Sequence, residues 1–189
     1  MRQMNPLRRD TICEARGEVL EVGFGTGLNL PSYGPEVKTL VGLDPLDVTD
    51  MELVHERIRD ASFPVERRAL RADGGLPFDA ARFDTVVTTW TLCSIPEVGR
   101  ALREMRRVLK PDGHYVFIEH GRADAISTAR WQDRIDPFWG RFCDGCHINR
   151  KIDQLVEEGG FELARLDRFR AKGPSIVAQM YRGVARRVG

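Results

Sequence analysis

A short apolar run, residues 18–22, ends in three glycines spaced two apart, Gly23, Gly25 and Gly27. Five residues are too few for a stable helix, so a run that feeds straight into a glycine cluster reads as a buried strand closing in a tight turn. Glycine there allows positive φ and lets a ligand approach the backbone with no Cβ in the way. Ligands of open α/β sheets bind at the carboxyl ends of strands, so this unit constrains the chain more than any other feature does.

The remaining pattern fits such a sheet. Residues 37–43 form a second apolar, β-branched run ending in Asp44, and residues 51–59 carry helical spacing through Leu53 and Ile58. Residues 65–70 read as a weaker third strand and residues 83–90, rich in Val and Thr, as a stronger fourth. The clearest helix follows, with Leu102, Met105 and Leu109 on one face and Arg100, Arg103, Arg107 and Lys110 on the other, stopped by Pro111, Asp112 and Gly113. Residues 115–119 make a fifth strand. Five strands separated by helical connections predict a parallel sheet covered on both faces with right-handed crossovers. Later come an aromatic segment at 131–142, a helix at 149–158, and two strand-like runs, 161–170 and 176–187, joined through Lys172, Gly173 and Pro174. These last two predict a hairpin at one sheet edge. The fold expected is therefore α/β, a Rossmann-like three-layer sandwich with a mainly parallel sheet and a C-terminal antiparallel hairpin. At 189 residues the chain fits one domain, 1–189, with an acceptor-site insert at about 122–150.

Composition narrows the partners. With 42% hydrophobic and 30% charged residues the chain is globular, and a net charge of +1 provides no field to gather nucleic acid. No apolar run approaches the roughly 18 residues of a membrane span, and residues 1–10 lack the apolar core of a signal peptide, so a cytoplasmic location is expected. The four cysteines, Cys13, Cys93, Cys143 and Cys146, are too few for a disulfide framework and are expected to be reduced. Nothing in the pattern specifies an oligomeric state.

The glycine spacing discriminates among ligands. A dinucleotide fingerprint needs glycine at the sixth place from Gly23, where this chain has Leu28, so a pyrophosphate is disfavoured. Asp44 stands about 20 residues past the glycines, where a ribose diol would lie, and a carboxylate accepts hydrogen bonds from both hydroxyls. Asp73, followed by Gly74, Gly75 and Leu76, is placed to reach an adenine amino group. Together these describe an adenosine site with no phosphate to hold. The plainer readings are an ordinary tight turn for the glycines, and helix-capping or turn roles for Asp44 and Asp73.

On these residues the sequence resembles the class I methyltransferases, which use S-adenosylmethionine; the matching stretches are 19–27, 41–45, 76–78, 83–87, 102–111 and 113–119. The set Leu92, Cys93, Ser94, Ile95, Pro96, then Glu119, His120, then Asp136, Pro137, then Asp144, Gly145, Cys146 and Arg150 resembles the methyltransferase-like 7 branch of the type 11 methyltransferases, which includes enzymes that methylate thiols. The resemblance implies that Gly23, Gly25 and Gly27 contact the amino-acid part of the cofactor, with Glu21 nearby, that Asp44 holds the ribose and that Asp73 lies beside the adenine. Two departures stand out. Relatives usually carry Ala then Glu where this chain has Asp73 and Gly74, and they often carry an additional amino-terminal helix.

The expected function is methyl transfer from S-adenosylmethionine to a small apolar acceptor, a thiol favoured over a lipid head group or quinone-like ring. A catalytically inactive cofactor-binding module is the alternative, and Leu28 argues against a nicotinamide oxidoreductase. On the acceptor side His120, at the end of the fifth strand, is the leading candidate base, with a structural histidine the competing reading. Trp131, Phe138, Trp139 and Phe142 of the insert are placed to roof an acceptor pocket; in the competing reading Trp131, Ile135, Phe138 and Phe142, which recur at helical spacing, pack on the sheet. Trp90 is expected to face the same cavity and counts among the cofactor-binding residues; Asp144 and His147 are weaker acceptor contacts. Cys143, Cys146 and His147 also spell a c-type haem attachment pattern, which normally accompanies an export signal that this sequence does not show. A zinc site built on them lacks a fourth ligand at standard spacing, so no metal is expected.

Overall fold

The computed structural model describes residues 4–46 and 51–188. The first three residues of the lead-in at 1–10, residues 47–50 and the last residue of the 1–189 domain lie outside the described residues. The lead-in holds a helix that the polar pattern did not predict, α1 (Asn5–Ile12), opened by a proline in its first turn, where the fixed φ is already helical. The strands are β1 (Gly17–Val22), β2 (Val37–Leu43), β3 (Val65–Arg68), β4 (Phe83–Thr89), β5 (Leu109–His120), β6 (Phe161–Arg170) and β7 (Gln179–Arg187). The remaining helices are α2 (Glu52–Arg59), α3 (Val98–Val108), α4 (Ile126–Phe142) and α5 (Ile152–Glu158).

One seven-stranded sheet runs β3-β2-β1-β4-β5-β7-β6. β1 to β5 pair in parallel, and β7 lies antiparallel between β5 and β6. Period-two alternation divides the side chains between two cores. Leu20, Val41, Val86, Phe117 and Ala185 face α3 and α5, together with Leu102, Met105, Ile152 and Val156. Their neighbours Val19, Leu40, Val87, Val116 and Val184 face the other way, against Ile12 of α1 and Val54 of α2. Three layers result, as expected.

Two sequence expectations are corrected. No α-helix follows the glycine turn: residues 24–33 form turns and one 3-10 turn, Leu30–Ser32, because Pro31, Gly34 and Pro35 leave no room for helical propagation. Between β3 and β4, where the sequence is rich in turn residues at 74–77, the connection holds a 3-10 turn, Ala72–Gly74. Finally, Pro111, Asp112 and Gly113 do not stop α3. The helix ends at Val108, and those residues bulge within β5, where Leu109 pairs with Phe83 and His114 with Thr85, leaving 110–113 opposite Asp84. Lys110 Nζ fastens the bulge by donating to Asp84 Oδ1 at 2.8 Å.

The chain winds β1, β2, β3 toward one edge and then returns to place β4 on the other side of β1. That reversal opens a crevice at the carboxyl ends of β1 and β4. Among the described residues, no helix is long and apolar enough to cross a membrane.

Candidate functional site

A cavity of about 520 Å³ occupies that crevice, within the roughly 300–1,000 Å³ range of small-molecule sites. Its floor is Val22 and Gly23 after β1, Leu43 and Asp44 after β2, and Thr89 and Trp90 after β4. One wall is Leu70 to Asp73, and the far side is Ser94, Ile95, Pro96, Asp144 and Gly145.

The glycine turn is held open by backbone geometry. Gly23, Gly25 and Gly27 have φ of 84°, 53° and 75°, a region closed to most side chains. Gly23 N and Phe24 N both donate to Leu43 O, at 2.8 and 3.0 Å, tying the turn to β2. A Cβ on Gly23 would lie 1.9 Å from Thr91 Oγ1, so at this point only glycine fits. Asp44 Oδ2 accepts from Gly25 N at 2.7 Å and Oδ1 from Leu46 N at 2.9 Å. The carboxylate is thereby aimed, while each oxygen keeps a further lone pair for a ligand hydroxyl.

Beneath the turn lies a buried polar network, unusual for a strand interior. Glu21 is fully buried; Asn29 Nδ2 donates to its Oε1 and Tyr33 Oη to its Oε2, each at 2.7 Å. Burial pushes the Glu21 carboxyl up to about 7, against the pull of those two donors and of Arg8. Arg8, reaching in from α1, donates to Asn29 Oδ1 and to Thr89 Oγ1, and its guanidinium lies 4.6 Å from the Trp90 ring centroid. This network braces the helix-free loop 24–33 in place of helical hydrogen bonds. Glu21 therefore supports the turn from below and does not line the cavity.

Trp90 does line it, with a φ of 52° that is rare for so bulky a residue. Asp73 lines it too, its carboxylate gripped by Arg71 and accepting from Glu97 N at 3.3 Å; the Arg71 hydrogen bonds hold it below the usual carboxylate range. Glu119, at the end of β5, shapes the loop after β4. Its Oε2 accepts from Thr91 N at 2.8 Å and Leu92 N at 3.2 Å, and burial raises the carboxyl to about 8.

The acceptor-side expectations fare differently. Asp144 is at the cavity rim, with a φ of 52°. His120 is not at the cavity: its Nε2 lies 3.3 Å from Cys146 Sγ, behind the wall. His147 is also turned away, its Nδ1 2.7 Å from Asp136 Oδ2. The aromatics of α4 neither roof the cavity nor pack on the sheet. Trp131, Phe138 and Phe142 are 58%, 64% and 86% exposed, because the buried face of α4 is Ala129, Gln132 and Asp136. Gln132 Nε2 donates to the carbonyls of Gly121, Ile148 and Ile176, and its Oε1 accepts from Ala123 N. Helix α4 is thus docked by polar groups. Trp139 is half-buried and does not line the cavity.

Two arginines carry more of the site than their sequence context signalled. Arg8 has only the asparagine–proline start of α1 as a signal. Arg150 belongs to the branch pattern, and its guanidinium donates to Leu92 O and Ile95 O, clamping the turn that carries the far wall.

These residues fit S-adenosylmethionine. Gly23 lines the cavity with no side chain in the way, Asp44 is pre-aimed for a diol, Asp73 and Leu70 flank space for an adenine, and Leu28 stands where a dinucleotide site needs glycine. When bound, the cofactor supplies a methyl group on a positively charged sulfur, already activated for displacement.

A family model for a methyltransferase domain matches residues 20–117. Thiol S-methyltransferase TMT1A of Homo sapiens is 32% identical over 81% of this chain and 63% of its own length. Thiol S-methyltransferase TMT1B of Rattus norvegicus is 32% identical over 79% of this chain and 62% of its own. The chain thus spans under two thirds of those relatives. Phosphatidylethanolamine N-methyltransferase of Cereibacter sphaeroides is 35% identical over 78% of this chain and 71% of its own length. Among solved structures, a SAM-dependent methyltransferase from Methanosarcina mazei superimposes with TM-score 0.70 at 19% identity, covering 97% of each chain. The [4+2]-cyclase SpnF superimposes with TM-score 0.75 at 20% identity, covering 99% of this chain and 81% of its own. A cyclase on this scaffold shows that fold alone does not name a reaction. The matched domain runs from the first cofactor strand through the fifth, and the chain belongs to the methyltransferase domain family, with S-adenosylmethionine as its cofactor.

Proposed function

We propose that the chain transfers the methyl group of S-adenosylmethionine to the sulfur of a small apolar thiol. The observation that carries this reading is the cavity itself: it runs from the glycine turn and Asp44 to a far side lined by Ile95, Pro96 and Gly145, with Asp144 at the rim. Cofactor and acceptor would share one cleft. The thiol is favoured because two relatives at 32% identity are thiol S-methyltransferases.

The protein's own contribution is alignment. In-line displacement on an activated methyl group needs a nucleophile held about 3–3.5 Å away and on axis, an arrangement worth roughly 7–11 kcal/mol of barrier. Trp90, locked by its backbone and by Arg8, and the turn clamped by Arg150 provide the fixed surfaces for it. Among the described residues lining the cavity there is no histidine, lysine or cysteine. The thiol proton is then lost to solvent before attack, as ordinary thiol acidity near pKa 8.5 permits. Held beside Gly23, Asp44 and Asp73, S-adenosylmethionine would supply the activated methyl group that the thiolate takes.

A second reading, methylation of a lipid amine head group, is favoured by the 35% identity to a phosphatidylethanolamine N-methyltransferase. Methyl-labelled cofactor incubated with matched alkyl thiols, alcohols and amines, and with phosphatidylethanolamine vesicles, separates the readings. Label in the thioether supports the proposal. Label in the amine or lipid alone overturns it, and no label in any acceptor leaves a cofactor-binding module.

A further inference from the structure

Three residues far apart in sequence meet behind the far wall of the cavity. Cys93 follows β4, His120 ends β5 and Cys146 follows α4. Their ligand atoms all lie within 4.8 Å of one another, and Cys146 Sγ is 3.3 Å from His120 Nε2. Cys93 is 3% exposed. The clustering is built by the backbone: His147 N donates to Cys93 O at 2.9 Å, and Arg122 N to Arg150 O at 2.8 Å, so the end of the insert is laced to both strand ends. Arg150 adds its clamp on Leu92 and Ile95.

The sequence pointed to a different set. Cys143, Cys146 and His147 are adjacent in the chain, but the fold turns His147 to Asp136 and leaves Cys143 outside the cluster. The expectation of no metal rested on counting that local trio, which lacked a credible further ligand. The fold instead brings Cys93 and His120, both upstream in sequence, to Cys146 in place of Cys143 and His147.

We infer that Cys93, His120 and Cys146 form a three-ligand site for a thiophilic divalent ion, Zn²⁺ above all. Two sulfurs and one imidazole nitrogen suit Zn²⁺ over Mg²⁺ or Ca²⁺, which take oxygen ligands. Zinc–sulfur bonds of about 2.3 Å and zinc–nitrogen bonds of about 2.0–2.1 Å place tetrahedral ligands roughly 3.5–4 Å apart, a spacing the cluster reaches with small side-chain adjustment. Nε2 is the coordinating nitrogen, so Nδ1, which is buried with no partner among the described residues, carries the ring hydrogen. On binding, both thiols give up their protons to solvent. Three protein ligands leave a fourth tetrahedral position for water or an exogenous ligand. The ion would fasten the two segments that flank it, and both line the cavity: Ser94 to Pro96 beside Cys93, and Asp144 with Gly145 beside Cys146.

Metal uptake tests this without cofactor or acceptor, so its outcome is separate from that of methyl transfer. Reduced, chelator-treated protein is dialysed against Zn²⁺ and, in parallel, titrated with Co²⁺. The expected result is one ion per chain, with a thiolate-to-cobalt charge-transfer band and the d–d bands of a tetrahedral ion. Cys146→Ser should weaken uptake by on the order of a hundredfold or more, while Cys143→Ser should leave it unchanged. Zn²⁺ should also slow amide exchange in residues 92–96 and 144–148 of the native chain, a readout that needs no variant. No stoichiometric uptake by the native chain, an octahedral cobalt spectrum without charge transfer, or equal loss in Cys143→Ser would overturn the assignment.

Discussion

Replacing Gly23 by alanine tests whether the glycine turn is shaped by its neighbours or merely by its own flexibility. Gly23 has a φ of 84°, and an added Cβ would meet Thr91 Oγ1 at 1.9 Å, Cγ2 at 2.5 Å and Cβ at 2.7 Å. Left-handed backbone costs alanine roughly 1–2 kcal/mol, and overpacking of a rigid contact adds about 1–3 kcal/mol. The sum is a loss of about 2–5 kcal/mol, a large part of the stability of a domain this size. A loss of about 3 kcal/mol corresponds to a fall in Tm of roughly 6–12 °C. Thr91→Ala by itself removes the hydrogen bond from Oγ1 to Thr89 O (3.1 Å), worth about 1 kcal/mol. In the double variant the two closest clashing atoms are gone and only the Cβ contact remains, so part of the overpacking is relieved and the φ strain is not. Urea unfolding of the four species should therefore give a favourable coupling of about 1 kcal/mol or more. Strictly additive losses would refute the steric argument, and an unaffected Gly23→Ala would refute the left-handed turn as well.

Other consequences follow from the polar groups under the site. Glu21 and Glu119 titrate in the fold at about 7 and about 8, above the ordinary 4.5. Folding therefore takes up protons between those values: the stabilising contribution is complete below about pH 4.5 and is lost as pH rises through 7 and 8. The unfolding free energy from urea titration should fall from pH 5 to pH 8.5 by an amount on the order of a few kcal/mol, and Glu21→Gln should flatten the part of that slope below pH 7. Arg8→Met keeps an apolar stem near Trp90 but removes the donors to Asn29 and Thr89, and should cost about 1–3 kcal/mol in unfolding. Since no imidazole lines the cavity among the described residues, the pH dependence of methyl transfer should follow the acceptor: a thiol of lower pKa should move the whole rate profile down in pH. A profile fixed across thiols would point to a base on the protein.

The sheet was legible in the sequence because buried strands write themselves as short β-branched runs, and five of them lay where the runs lay. The connections were less legible. Helical connections between strands are the expectation, but after the glycine turn Pro31 and Pro35 bound a loop held instead by the hydrogen bonds of Asn29 and Tyr33 to Glu21, contacts with no periodic signature. Position after a strand located Gly23, Asp44, Asp73, Trp90 and Asp144, all of which line the cavity. It misplaced His120 by one wall thickness, since a residue at a strand end is able to turn to either side. The aromatics of α4 misled for a different reason: apolar spacing implies a buried face, yet this helix is docked through Gln132 and Asp136, whose carbonyl, amide and imidazole partners are scattered over the sequence.

The central claim is that the crevice between β1 and β4 is the S-adenosylmethionine site and that Asp44 holds its ribose. Calorimetric titration of the cofactor into the native chain and into Asp44→Ala tests it directly. The account predicts binding to the native chain that weakens by tenfold or more in the variant, about 1.4 kcal/mol, while the variant still unfolds cooperatively. Equal affinity in a folded Asp44→Ala, or no binding by the native chain, would contradict it.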